Sequence, residues 1–193
     1  MPRRIDETAV FESATRLFVS WGYDGTTTKT IASLAGVNEA TLFRRYGGKA
    51  ELICAALSAQ LEGVPLATVE TTDDVEADLV GIVRAYLQTQ DQVGAVIPML
   101  LVEVPQHREL RPALDKVWAN LQAIAQIIVH HQARGALPQE LPLLTLSALI
   151  GPLFVVGLAR RARLVDRALE VEVEVERYVR AFLQGRAVPG ASP

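Results

Sequence analysis

Residues 26–49, TTTKTIASLAGVNEATLFRRYGGK, constrain this chain more tightly than any other stretch. Ile31, Leu34 and Ala35 recur at three-and-four spacing with Ala32 behind three threonines, which predicts a short helix with one buried face and a hydroxyl cap. Gly36 predicts its end, because glycine accepts the left-handed backbone of a tight turn, and Val37 follows as an apolar plug. Asn38 is the natural cap of a second helix running through Ala40, Thr41, Leu42, Phe43, Arg44, Arg45 and Tyr46 without a breaker. A helix, a glycine turn and a second helix with Thr41, Arg44 and Arg45 outward is the helix-turn-helix layout that enters a DNA major groove. Pattern alone leaves a second reading open, an ordinary pair of surface helices in an all-α protein.

Length and charge set the surroundings. At 193 residues the chain has room for one large helical domain, or for a small domain plus a larger one. The formal net charge is only -3, so it selects no partner by itself. Its distribution says more: residues 1–50 hold seven Lys or Arg against five Asp or Glu, a net of +2, leaving twelve against seventeen, a net of -5, for the rest. A basic reader on an acidic body fits a nucleic-acid partner. Cys54 is the single cysteine, which rules out an internal disulfide, fits a reducing cytoplasm and predicts a buried structural thiol. The start, MPRRIDE, turns charged at once and does not resemble a secretory signal, so the expected location is cytoplasmic.

Residue by residue, 5–57 resembles the DNA-binding domain of the tetracycline-repressor (TetR) family of bacterial regulators. The match is carried by Leu17, Phe18, Gly22, Tyr23, Thr26, Thr27, Ile31, Ala32, Ala35, Gly36, Val37, Thr41, Leu42, Phe43, Tyr46, Lys49 and Leu52. The sequence departs from the family pattern at Asn38, where serine is common, Glu39, where a basic residue is common, Ala40, which replaces glycine, and Arg45, which replaces histidine or tyrosine. These departures bear on which operator is read. Glu39 repels phosphate and can accept from a cytosine amino group.

The resemblance implies an all-α fold: a three-helix helix-turn-helix DNA-binding domain over residues 1–62, with the motif at about 27–46, and a helical ligand-binding and dimerisation domain over 63–193. Periodicity predicts a first helix from about residue 6 to 21 with Val10, Phe11, Ala14, Leu17, Phe18 and Trp21 on one face, ended by Gly22. Pro2, Arg3 and Arg4 form a basic arm, either touching DNA or simply solvated. Lys49 opens a fourth helix at the end where a cation is disfavoured unless an anion is expected, and the resemblance favours a phosphate there. Residues 63–73 read as a linker or turn. Helical faces then follow at 79–87, at 96–104 with an interruption at Pro98, and at 112–134. Val171, Val173 and Val175 alternate with glutamates as an edge strand would, but their neighbours favour a helix.

Residues 141–159, LPLLTLSALIGPLFVVGLA, contain no charge and are followed by Arg160, Arg161 and Arg163, the pattern of a membrane span. A membrane-anchored DNA binder is therefore an alternative. Pro142, Pro152, Gly151 and Gly157 argue against it, and the resemblance implies a helix covered on all sides, by its own domain and by a second subunit, in a homodimer built from helices at about 141–161 and 168–184.

No enzyme is expected. His107, His130 and His131 lack the spacing of a metal site, and no phosphate loop or nucleophile elbow is present in the sequence. No cofactor or metal is expected either. The expected partner is double-stranded operator DNA, with Thr27, Thr28, Lys29, Tyr46 and Lys49 on phosphate and Thr41, Arg44 and Glu39 at base edges. Phe43 would pack on a thymine methyl or the sugar backbone, and Asn38 and Arg45 complete the interface. The resemblance also implies a repressor released by a small molecule. Tyr86, Met99, Leu100, Glu103, Trp118 and Phe154 are the candidates to line its site, and an apolar effector with a polar group near Glu103 is expected.

Overall fold

The computed structural model describes residues 6–164 and 174–185. Among the described residues the regular elements are helices: α1 (Glu7–Gly25), α2 (Thr28–Ala35), α3 (Glu39–Tyr46), α4 (Lys49–Glu62), α5 (Val75–Val93), α6 (Val96–Glu103), α7 (Arg111–Ala133), α8 (Pro142–Arg161) and α9 (Val175–Gln184). Single 3-10 turns occupy Pro65–Thr68 and Arg108–Leu110. The basic arm of Pro2, Arg3 and Arg4, the Val171 and Val173 alternation, and residues 168–173 of the expected last helix lie outside the described residues; Val175 is helical. The chain divides into two compact units, Met1–Gly63 with Ala95–Trp118, and Val64–Gly94 with Ala119–Pro193. Residues 95–118 group with the N-terminal helices.

In the first unit, α1 starts where the Asp6 carboxylate accepts from the Ala9 amide at 3.2 Å. Its buried face of Val10, Ala14 and Leu17 meets Ile31 and Ala32 of α2, Leu42 of α3, and Leu52 and Ala56 of α4 in one apolar cluster. Phe11, Ala35, Val37 and Tyr46 pack around its edge. Two residues grouped with the buried faces by spacing are instead open to solvent, Trp21 at 60% and Leu34 at 47%. Trp21 is the last residue before the helix breaks, and α2 is too short for its whole apolar stripe to be covered. The break is at Gly22, whose φ of 70° and ψ of -173° belong to glycine alone, and a short helical turn resumes through Gly25. A Cβ added to Gly22 would stand 2.3 Å from Oε1 of Glu103, so a side chain there would have to push that carboxylate aside. Pro98 does not interrupt α6. It sits in the first turn, where backbone amides have no partner within the helix, so its missing N–H removes no bond.

The second unit is built on α5, which packs against α8, α9 and the turn Pro65–Thr68. Asp74 caps α5 by accepting from the Ala77 amide at 3.0 Å. Residues 63–73 are more than a linker: Val64 and Leu66 are buried, and the Leu66 amide donates to Thr89 Oγ1 at 3.0 Å. Helix α8 follows Pro142 at its first turn and is long and apolar enough to cross a membrane by length and composition. Thr145, Leu146, Leu149 and Leu153 are buried, whereas Leu144, Val155, Val156 and Leu158 face outward. The protomer buries 22% of its apolar window, so any cover on all sides has to come from elsewhere. Tyr178 of α9 donates its hydroxyl to the Leu149 carbonyl at 2.6 Å and ties these two helices together.

The three histidines, scattered in sequence, each lie beside carboxylates. His107 has Asp24, Glu103 and Glu109 within 3.7 Å, His130 has Asp73 at 3.3 Å, and His131 has Asp78 at 2.7 Å. Cys54 is half-buried rather than fully enclosed. Its thiol donates to the Glu109 carbonyl at 3.2 Å, and burial, the leading cause, pushes its pKa up.

Candidate nucleic-acid interface

Helices α2 and α3 are set against each other by caps encoded in their own sequence. Thr27 Oγ1 accepts from the Thr30 amide at 3.1 Å and opens α2. Gly36, at φ 66° and ψ 31°, closes it in the left-handed region, and the Val37 amide returns to the Ala32 carbonyl at 3.0 Å. Asn38 Oδ1 accepts from the Ala40 amide at 2.8 Å and opens α3. Leu42 is the one fully buried residue of α3 and anchors it to the core. Truncating it to alanine would cost about 2–5 kcal/mol by the usual cavity argument.

With Leu42 inward, the outward face of α3 is settled. Phe43 is 48% exposed, Arg44 and Arg45 are exposed, and Thr41 and Tyr46 are half-buried at its sides. Lys29 of α2 and the capping residues Thr27 and Asn38 are also exposed. An eight-residue helix thus offers two arginines and an aromatic ring to solvent from a rigid mount, the size and chemistry that a major groove admits.

Five of the expected contact residues already have partners. Thr28 is buried, and its hydroxyl donates to Glu39 Oε1 at 2.6 Å, which ties the carboxylate back to α2. The Lys49 ammonium donates to the Tyr23 carbonyl at 3.0 Å and lies 3.9 Å from the Tyr23 ring centroid. Burial, followed by the charge of Glu109, pushes the Tyr23 phenol up to about 12, so that ring stays neutral under the ammonium. Arg45 Nη2 and the Tyr46 hydroxyl both donate to Glu7 Oε1, each at 2.9 Å. Those two hydrogen bonds, Tyr46 first, hold the Glu7 carboxyl below its ordinary range. Glu7 was invisible to sequence reasoning: it lies 38 residues from Arg45, and no spacing rule joins the start of α1 to the end of α3.

The effector candidates fall in both units. Met99, Leu100, Glu103 and Trp118 belong to the first unit, Tyr86 and Phe154 to the second. Leu100 and Tyr86 are buried, and Trp118 is half exposed. Glu103 lies against Gly22 and 3.6 Å from His107 within its unit. A cleft of about 390 Å³ in the second unit is lined by Thr68, Glu70, Thr72, Arg84 and Gln88 among others, and by none of the six candidates.

Comparison with known proteins agrees with this architecture. Residues 10–56 match the model of bacterial regulatory proteins of the tetR family, and residues 69–175 match the tetracyclin repressor-like C-terminal domain. The chain is 29% identical over 122 residues to the uncharacterized HTH-type transcriptional regulator YvkB of Bacillus subtilis, covering 63% of each protein. It is 32% identical over 128 residues to the uncharacterized HTH-type transcriptional regulator Rv1556 of Mycobacterium tuberculosis, covering 66% of this chain and 57% of that protein. The matches thus span about three fifths of the length of these relatives. Among solved structures, the flavonoid-responsive regulator FrrA superposes with a TM-score of 0.68 at 22% identity, covering 93% of both chains. The fatty acid degradation regulator FadR of Bacillus halodurans superposes with a TM-score of 0.65 at 16% identity, covering 95% of both. At such identities the likeness speaks for the fold, whereas the two domain models together cover most of the chain. The chain belongs to the tetR family of bacterial regulatory proteins.

Proposed function

We propose that this protein is a cytoplasmic, DNA-binding transcriptional regulator, a homodimer that reads a near-palindromic operator with α3 of each subunit. The observation that carries the reading is the exposed ridge of Phe43, Arg44 and Arg45, held outward because Leu42 is the anchoring residue of the same short helix. Arg44 and Thr41 are assigned to base edges, Glu39 to a cytosine amino group, and Phe43 to a thymine methyl or sugar. Thr27, Thr28, Lys29 and Lys49 are assigned to phosphate, which positions the reader without specifying sequence, and Tyr46 joins them when its hydroxyl leaves Glu7. Asn38 and Arg45 flank the contact.

The outward apolar face of α8, with Val155, Val156 and Leu158, supports its use together with α9 as the seam between subunits. The burial of Thr145 and Leu149 on the opposite face supports this seam over a membrane span. Repression relieved by an apolar small molecule is the regulatory mode we infer, since one superposable regulator is named for flavonoid response and another for fatty acid degradation. Such a ligand acts by favouring a spacing of the two readers that DNA does not accept, through its difference in affinity for the two states. Tyr86, Met99, Leu100, Glu103, Trp118 and Phe154 are the residues to substitute first in locating it.

Selection of bound sequences from random DNA tests the reading directly. The expected product is an inverted repeat with half-site centres one or two helical turns apart, each turn being about 34 Å. Failure to enrich any sequence, or enrichment of single half-sites, would count against a dimeric reader.

A further inference from the structure

At the end of α3 nearest Glu7, two groups of the proposed interface converge on one carboxylate. Glu7 Oε1 is the common acceptor for Arg45 Nη2 and for the Tyr46 hydroxyl, both at 2.9 Å. The Tyr46 ring is fixed by packing against Phe11, with centroids 5.8 Å apart, and the Arg45 guanidinium lies 5.8 Å from that ring. A guanidinium and a phenol converging on one anionic oxygen form the donor set that would otherwise receive a phosphate oxygen. The acceptor also stands in the first turn of α1, where the unpaired amides favour a negative group. Glu7 and Arg45 side chains are nearly half exposed, so the pair stands where a polyanion can reach it.

We infer that Glu7 is an internal stand-in for a DNA phosphate, a positioning residue that withholds Arg45 and the Tyr46 hydroxyl from the backbone. It thereby sets how many phosphates each reader neutralises. This rests on α3 being the DNA reader. Arg45 is one of two arginines in the last turn of α3, and with Glu7 beside it that one charge is cancelled. Sequence-independent attraction is lowered, and a larger share of the affinity is left to Arg44 and Thr41. An exposed pair of this kind is weak enough to be exchanged, which makes it a trim on affinity rather than a lock.

The test is the salt dependence of binding for the full chain and for Glu7→Gln, Arg45→Gln and the double variant, on the selected operator and on random DNA. The neutral amide keeps the shape of residue 7 and removes its charge. Glu7→Gln is expected to bind both DNAs roughly two- to fivefold more tightly, the range of one exposed ion pair. Its log–log salt slope should be steeper by about 0.9 per reader, the signature of one additional phosphate neutralised. In the Arg45→Gln background the same change at residue 7 should leave the slope unaltered. A general loss of negative charge would persist in that background and overturn the inference, as would a Glu7→Gln protein, folded by its thermal transition, that binds with an unchanged slope or more weakly. If the unaltered protein binds no DNA, the reader assignment fails and this inference with it. If it binds while Glu7→Gln behaves like the parent, only the role of Glu7 is lost.

Discussion

Nε2 of His131 and Oδ2 of Asp78 stand 2.7 Å apart with both side chains withdrawn from water, joining α7 to α5 inside the second unit. The same carboxylate accepts from the Thr72 hydroxyl at 2.6 Å and from the Thr72 amide at 2.9 and 3.1 Å. Burial, the largest influence, raises the Asp78 pKa, but the Thr72 hydrogen bonds and His131 together more than offset it, and the net shift is downward. An ionised Asp78 requires the ring proton on Nε2, which makes His131 the donor.

Asp78→Ala should therefore lower stability by about 3–5 kcal/mol, since it strands a buried imidazole and frees the loop at Thr72. The pH dependence has a definite sign. A carboxyl whose native pKa lies below its unfolded value of about 3.9 stabilises fully above that value and loses its contribution as pH falls through the native pKa. Urea unfolding between about pH 3 and pH 6 should show the parent losing more stability on acidification than Asp78→Ala. Parallel curves would mean that Asp78 contributes nothing to the acid limb.

Gly22→Ala tests the break in α1. The backbone at φ 70° and ψ -173° is strained for any residue with a Cβ, and that Cβ would press on the Glu103 carboxylate. The expected loss is about 1–3 kcal/mol. Glu103 can swing away, so pairing the change with Glu103→Ala separates contact from strain: a thermal transition that recovers fully in the double variant would assign the whole effect to the contact.

Arg44 stands exposed on the ridge of α3, with no ion-pair partner among the described residues, unlike Arg45. Arg44→Ala should weaken binding to the selected operator by about 1–3 kcal/mol and relax preference at one base position of each half-site, while binding to random DNA changes little. Equal losses on both DNAs, measured by titration at fixed salt, would move Arg44 from the base-reading group to the phosphate group.

Val156→Glu places a charge on the outward face of α8 without touching Leu146, Leu149 or Leu153 beneath it. Sedimentation should show the parent as a dimer and the variant shifted to protomers, with helical content retained and operator affinity reduced. A parent protein recovered in the membrane fraction and requiring detergent would instead favour α8 as a span.

Much of the first unit was legible because its determinants are local. Thr27, Gly36 and Asn38 act on amides two to five residues away, and Leu42 is the only fully buried side chain on a short helix, so caps, turn and exposed ridge follow from nearest neighbours in the chain. The apolar character of α8 was equally plain from composition. Its two faces were not, because which side is covered depends on where α5 and α9 pass.

Hydrogen bonds to near neighbours and a period of 3.6 residues suffice to specify the helix-turn-helix and its outward arginines, so both can be read from the order of residues. Tertiary structure alone decided which of those groups are already engaged: Arg45 and Tyr46 on Glu7, Glu39 on Thr28, Lys49 on Tyr23, and His131 on Asp78. Each of these pairs joins residues at least eleven positions apart across different helices. Side-chain electrostatics act through space over a few ångströms, and only packing brings such residues that close.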